Sequence, residues 1–211
     1  MIENSGLHIP NRIARYMVST LHDLMGENGL NAVLRHGGLP DYQTILPPDN
    51  MLNVFDFAYY SAICSAVAET YGPRGARVFL IRAGRAGFLN GIQSFIDNYG
   101  ASLEATGRLV PLSIKLPLFL RWIAKNYTET SDRIVKVKDM GDHYLYINHR
   151  CPVCWGRKSN APDCHITLGF LLEATSFISM GASFQIRQVS AIACGNASCD
   201  FIIPKHPIPV S

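Results

Sequence analysis

The chain has 211 residues, of which 48% are hydrophobic and 17% charged, with a formal net charge of +3. That length suits one domain, and the low charge, against roughly 25% in typical soluble domains, excludes a disordered chain and leaves apolar surface for a partner or a greasy ligand. Lys and Arg never run beyond two in a row, which excludes the basic footprint of a nucleic-acid binder.

The first five residues, Met1-Ile2-Glu3-Asn4-Ser5, carry neither a basic start nor an apolar run, so no secretory peptide is expected. The chain therefore reads as cytoplasmic. Pro10 suits a first helical turn, and Ile13, Met17, Leu21, Leu24 and Met25 follow at helical spacing until Gly26. A shorter helical piece, 30–34, leads to a Pro-rich loop over 37–50. Residues 1–50 are thus expected to form an N-terminal helical arm, the expected dimer contact, and residues 51–211 the main domain.

A helix is predicted over 56–71, with Tyr60, Ile63, Cys64, Val67 and Tyr71 on one stripe, and Gly72-Pro73 ends it. A second helix is predicted from Pro73 to about residue 99. It holds Ala83, Gly84, Ala86, Gly87 and Gly91, and each Gly costs a helix roughly 1 kcal/mol relative to Ala. Such clustering means close approach to the backbone by another helix or by a flat ligand, and both readings stay open here. The segment 112–127, dense in Leu, Phe119, Trp122 and Ile123, reads as a core helix, a dimer face or the lid of an apolar pocket.

Near Arg133 the period shifts from 3.6 to 2. Residues 134–138 and 143–148 alternate around Met140-Gly141-Asp142, a hairpin signal. Residues 166–180 are apolar nearly all round and read as a covered helix; 184–193 and 199–203 read as two further strands about Gly195-Asn196. Helices, hairpin, helix, hairpin make an α+β fold: a helical layer packed on a twisted antiparallel sheet of about four strands. Neither greasy stretch, 109–124 nor 166–182, supplies the roughly 18 apolar residues of a membrane span.

Five of the six Cys fall late in the chain: Cys151, Cys154, Cys164, Cys194 and Cys199. In a reducing compartment such a cluster binds metal or does redox chemistry more often than it forms disulfides. Cys151-Pro152-Val153-Cys154 lets two thiolates reach one ion, and a second pair from distant turns completes a tetrahedral shell suited to Zn²⁺. Which four of the five serve is open, with His149 and His165 as further candidates; a redox dithiol, an iron–sulfur cluster and incidental buried thiols are the alternatives. Catalytic signatures are thin. No nucleophile elbow, P-loop, dinucleotide fingerprint or His-Glu-x-x-His occurs.

The run 71–77 (Tyr-Gly-Pro-Arg-Gly-Ala-Arg), Cys151-Pro-Val-Cys154-Trp155, Cys164, Gly169, Gly181 and Cys194-Gly-Asn-Ala-Ser-Cys199-Asp200-Phe201 resemble 4-vinyl reductase domain proteins over about residues 52–205. Relatives of that family include phenol-sensing domains and subunits of a vesicle-tethering transport particle. The resemblance implies a small hydrophobic ligand, frequent dimerisation and, in sensory members, a structural zinc. It also marks a departure: Gln188 and Ala191 stand where the sensory relatives carry a Glu and a Cys of the zinc shell.

Together these readings predict a non-catalytic carrier or sensor of a tetrapyrrole or aromatic hydrocarbon, homodimeric, with a structural Zn²⁺ and room for a protein partner that receives the ligand. An enzyme or accessory subunit reducing a tetrapyrrole vinyl group in (bacterio)chlorophyll synthesis is the alternative, although no nicotinamide or flavin motif is present. The expected ligand contacts are Phe79, Ala83, Gly87, Phe88, Trp122, Tyr144, Tyr146 and Phe170.

Overall fold

A computed structural model describes residues 2–209, apart from the side chains of residues 94–109. A short strand, β1 (His8–Pro10), leads into α1 (Asn11–His36), with Pro10 at the N-cap where its missing N–H costs nothing. Gly26, at φ 69°, breaks α1 where the sequence places the stop, since a left-handed residue cannot continue a helix and Gly alone takes it without strain. A single helical turn, α2 (Tyr42–Ile45), and β2 (Asn53–Asp56) follow, and β2 pairs antiparallel with β1. Neither strand was expected; at three and four residues they are too short to show a period.

The long α3 (Phe57–Leu109) is two helices joined at Gly72, whose φ of 68° and ψ of 174° turn the chain just before Pro73 opens the second piece. That second piece runs past the predicted end near residue 99. Then come α4 (Leu112–Thr130), β3 (Val135–Asp139), β4 (His143–Asn148), α5 (His165–Ile178), β5 (Arg187–Ser190), a 3-10 turn (Ile192–Cys194) and β6 (Cys199–Pro204). The main sheet has the order β3-β4-β6-β5 and is antiparallel throughout. This is the expected α+β architecture.

Alternation fixes which face of the sheet meets the helices. Tyr144 and Tyr146 on β4, and Cys199, Phe201 and Ile203 on β6, are buried on the inner side. β5 is shorter than predicted. Its register slips between Gln188 and Ser190, and the chain then coils through Ile192–Cys194 to Gly195 at φ 87°.

The N-terminal helix α1 packs along α3, placing Met17, Val18, Leu21, Leu30 and Leu34 in the same hydrophobic core as the sheet. The closest helix crossing joins α3 and α5, where Gly84 and Gly169 meet the opposing backbone. A Cβ on Gly84 would sit 2.0 Å from the carbonyl oxygen of Ile166, and one on Gly169 would sit 2.1 Å from that of Ile81. Arg85 and Glu173 bridge the same pair of helices, Nη1 to Oε2, at 3.0 Å.

Candidate functional site

The crossing leaves room beside it. A cavity of about 230 Å³ lies between α1, α3, α4, α5 and the inner face of the sheet. On α3 the small-residue face divides by position. Gly84 is consumed by the crossing with α5, whereas nothing within 4 Å would meet a Cβ on Gly87 or Gly91, which open onto the cavity. Helix packing thus accounts for Gly84, while Gly87 and Gly91 are left facing open space.

Six of the expected ligand contacts line this space: Ala83, Gly87, Phe88, Trp122, Tyr146 and Phe170. Phe88 meets Phe170 edge-on with ring centroids 5.4 Å apart, and Trp122 stacks on Phe119 at 5.7 Å. The cavity wall does not include Phe79 or Tyr144. Phe79 packs against Tyr71 at the bend of α3, centroids 4.6 Å apart, and Tyr144 lies under the ammonium of Lys205 at 5.0 Å. Both sat on plausible faces, but a stripe or an alternation cannot tell which end of an element a cavity touches.

The cavity also has a polar end that the sequence reading missed. Arg133 and Asn148 line it, both buried, and neither Arg133 Nε nor Asn148 Oδ1 has a hydrogen-bond partner. The Arg133 guanidinium lies over the Tyr127 ring, 4.5 Å from its centroid. Burial pushes the Tyr127 phenol up to about 12, opposed by the nearby Arg133 charge, and burial likewise raises the phenols of Tyr60 and Tyr146. These side chains stay neutral, leaving Arg133 as a buried cation. Arg12, on α1, also lines the cavity and is held by Asp49, Nε to Oδ1, at 2.6 Å.

Beside the cavity stands the thiol cluster. Cys151, Cys154, Cys164 and Cys199 are buried, with all four sulfurs within 4.8 Å of one another. Cys154 Sγ lies 3.2 Å from Cys164 Sγ and 3.4 Å from Cys199 Sγ, and Cys164 and Cys199 are 3.7 Å apart. Ligands about 2.3 Å from a tetrahedral ion are roughly 3.8 Å from one another, so the cluster has the dimensions to hold one metal ion. The neighbouring thiols of Cys151, Cys164 and Cys199 hydrogen-bond to Cys154 and lower its pKa, favouring the thiolate a metal needs. Cys194, half-buried in the 3-10 turn, lies outside this group, as do His149 and His165.

Three local devices place the four thiols. Cys151 and Cys154 form a tight turn after β4, closed by the Cys154 N–H donating to the Cys151 carbonyl at 3.2 Å. Cys164 is the N-cap of α5, its N–H donating to Gln188 Oε1 at 2.9 Å. Gln188, one of the two positions at which the chain departs from the sensory pattern, therefore holds the Cys164 loop instead of offering a carboxylate. Cys199 opens β6 opposite Asn148, and its sulfur accepts from the Ile192 N–H at 3.3 Å. Arg157 braces the turn, donating to the Val153 carbonyl at 3.2 Å and pairing with Asp163 at 2.5 Å.

No family model matches the chain, and no curated protein is detectably similar to it in sequence. The fold, however, is shared with solved structures. An Fe(II) unliganded H-NOX protein from K. algicida superposes with a TM-score of 0.58 at 11% identity, covering 96% of this chain and 100% of that one. A haem protein whose redox potential is modulated through porphyrin distortion gives 0.56 at 15% identity, over 96% and 98%. The phenol-responsive sensory domain of the transcription activator PoxR, bound to phenol, gives 0.49 at 21% identity over 70% and 74%, a likeness too slight to carry an argument. At these identities what is shared is the fold.

Proposed function

We propose that this protein is a non-catalytic binder of a small hydrophobic molecule, acting as carrier or sensor, with a structural zinc ion in the four-Cys cluster. The observation that carries the reading is the cavity, walled by Phe88, Trp122 and Phe170 and opened by Gly87 and Gly91, where nothing among the described residues lies within 4 Å of a Cβ. Apolar walls with a few convergent polar groups are the hallmark of a small-molecule site. A cavity of about 150 Å³ accommodates benzene; one of about 230 Å³ suits a substituted or fused aromatic ring better than a tetrapyrrole.

Haem, which a structural neighbour carries, does not fit these residues. Axial ligation is commonly by His, Cys, Met or Tyr. Neither His nor Cys lines the cavity and residues 94–109 contain neither; Met17 and Met51 line it, but Met ligates haem beside a His, and burial drives the lining Tyr16, Tyr60, Tyr127 and Tyr146 phenols towards the neutral form, away from the phenolate that iron would take.

A homodimer remains our reading of the assembly, supported by exposed Met51, Leu52 and Val54 beside the N-terminal helices. Among the described residues, no helix is long and apolar enough to cross a membrane. Extraction of purified protein into organic solvent and mass spectrometry tests the function: a small apolar molecule should co-purify with the parent and be missing from Gly87→Leu, which fills the cavity. A Gly87→Leu protein that folds and retains the same molecule at the same level places the site elsewhere.

A further inference from the structure

The polar end of the cavity says which apolar molecules belong there. Arg133 is 9% exposed and Asn148 3%. A buried guanidinium normally meets a carboxylate, because an uncompensated buried charge is strongly destabilising. Among the described residues, Arg133 has no carboxylate partner: its main-chain N–H donates to Ser131 Oγ, its guanidinium lies on the Tyr127 ring, and Nε points at nothing. The nearest acidic residue in sequence, Asp132, is turned to the His8 N–H at 2.7 Å. The second cation of the cavity, Arg12, is already satisfied by Asp49. Arg133 thus keeps one N–H donor, Nε, without a partner, on a buried positive charge that Tyr127 alone meets, where protein walls weaken screening by solvent.

Asn148 adds a second requirement at the same sheet. It stands opposite Val135 in the β3–β4 pairing, two residues beyond Arg133; it lines the cavity, and its buried Oδ1 has no donor. A ligand that satisfies both groups carries an anionic acceptor and a nearby hydrogen-bond donor on an apolar body. Resting on the reading that the cavity is the ligand site, we infer that Arg133 is its specificity-determining residue and that the protein takes an apolar aromatic acid, its carboxylate on Arg133 and a neighbouring hydroxyl on Asn148. Phe88, Trp122 and Phe170 bind the ring; Arg133 rejects the uncharged hydrocarbon, which would leave a buried cation unpaired.

The probes are 2-naphthoate, 3-hydroxy-2-naphthoate and naphthalene, titrated into the intact protein and followed by fluorescence. A charge-assisted hydrogen bond in a dry site is worth at least about tenfold in affinity. 2-Naphthoate should bind at least about tenfold tighter than naphthalene, and the added hydroxyl should tighten it further. Arg133→Met should erase the preference for the acid while naphthalene binding holds or improves, and Arg133→Lys should restore part of it. Gly87→Leu should abolish all three.

Equal binding of naphthalene and 2-naphthoate to the parent, lost in Gly87→Leu, overturns the acid specificity and leaves the ligand site standing. No binding of any probe overturns both. The comparison of acid with hydrocarbon on the parent decides the matter even where Arg133→Met fails to fold.

Discussion

Gly84 and Gly87, three residues apart on one helix, should respond oppositely to the same substitution. A methyl group at Gly84 would meet the Ile166 carbonyl oxygen at 2.0 Å, and one at Gly169 the Ile81 oxygen at 2.1 Å; in each case the obstacle is backbone that cannot swing aside. Gly84→Ala and Gly169→Ala must each push α3 and α5 apart, and overpacking of that kind costs about 1–3 kcal/mol. Gly87 has a helical backbone and open space where the Cβ would go. Gly87→Ala in the ligand-free protein should be neutral or stabilising by up to about 1 kcal/mol, since Ala loses less backbone entropy in a helix. Urea melts of the three variants test the contrast, and equal stabilities would mean that the crossing is not as close as described. The sequence showed a helix with too many small residues. Dividing them into one that packs and two that face a cavity needed the position of α5, which no spacing contains.

At the scale of elements, the turn between β4 and α5 carries two of the four thiols proposed to hold zinc, and it is held by residues outside that cluster. Arg157 ties the Val153 carbonyl to Asp163, and the Ser61 hydroxyl on α3 lies 3.1 Å from the Val153 carbonyl oxygen and 2.7 Å from that of Trp155. Second-layer groups of this kind commonly set metal affinity by about 10–100-fold. Arg157→Met should weaken zinc binding by about that factor, measured by competition with a chromogenic chelator; unchanged affinity in a folded variant would show that the Cys-x-x-Cys turn is rigid without the brace. The hairpin β3–β4 and the Cys-x-x-Cys turn were legible from the residues because alternation and short spacing are local signals. The pairing of β1 with β2 joins His8 to Asp56 across the whole of α1, and so left no local trace. Arg133 and Asn148 were passed over for the same reason. Each is an ordinary polar residue in its own stretch, at a strand approach and a strand end, and only the antiparallel register of β3 on β4 sets them together.

The whole molecule places its two sites back to back, built from the same pieces of chain. Pro152 and Val153, inside the Cys-x-x-Cys turn, line the cavity; so do Ile166, Thr167 and Phe170 on the helix that Cys164 caps, and Asn148, the register partner of Cys199. An ion that fixes the four sulfurs fixes these walls as well, and a ligand that fills the cavity holds the sulfurs at ligating distance. Binding at one site must then favour binding at the other, by the same factor in both directions. Couplings between such sites span about 5–150-fold, and direct sharing of the wall segments argues for at least the lower figure. Removing metal with a chelator should therefore weaken 2-naphthoate binding at least about fivefold, and saturating 2-naphthoate should tighten zinc by an equal factor. Acid should act in the same sense as the chelator, because each thiolate that takes up a proton is a ligand lost and zinc leaves as pH falls. Far-ultraviolet circular dichroism on the metal-stripped protein keeps the result interpretable. If the stripped protein retains its helices and binds 2-naphthoate as tightly as before, the cluster braces the fold without reaching the cavity, and the two sites are neighbours only.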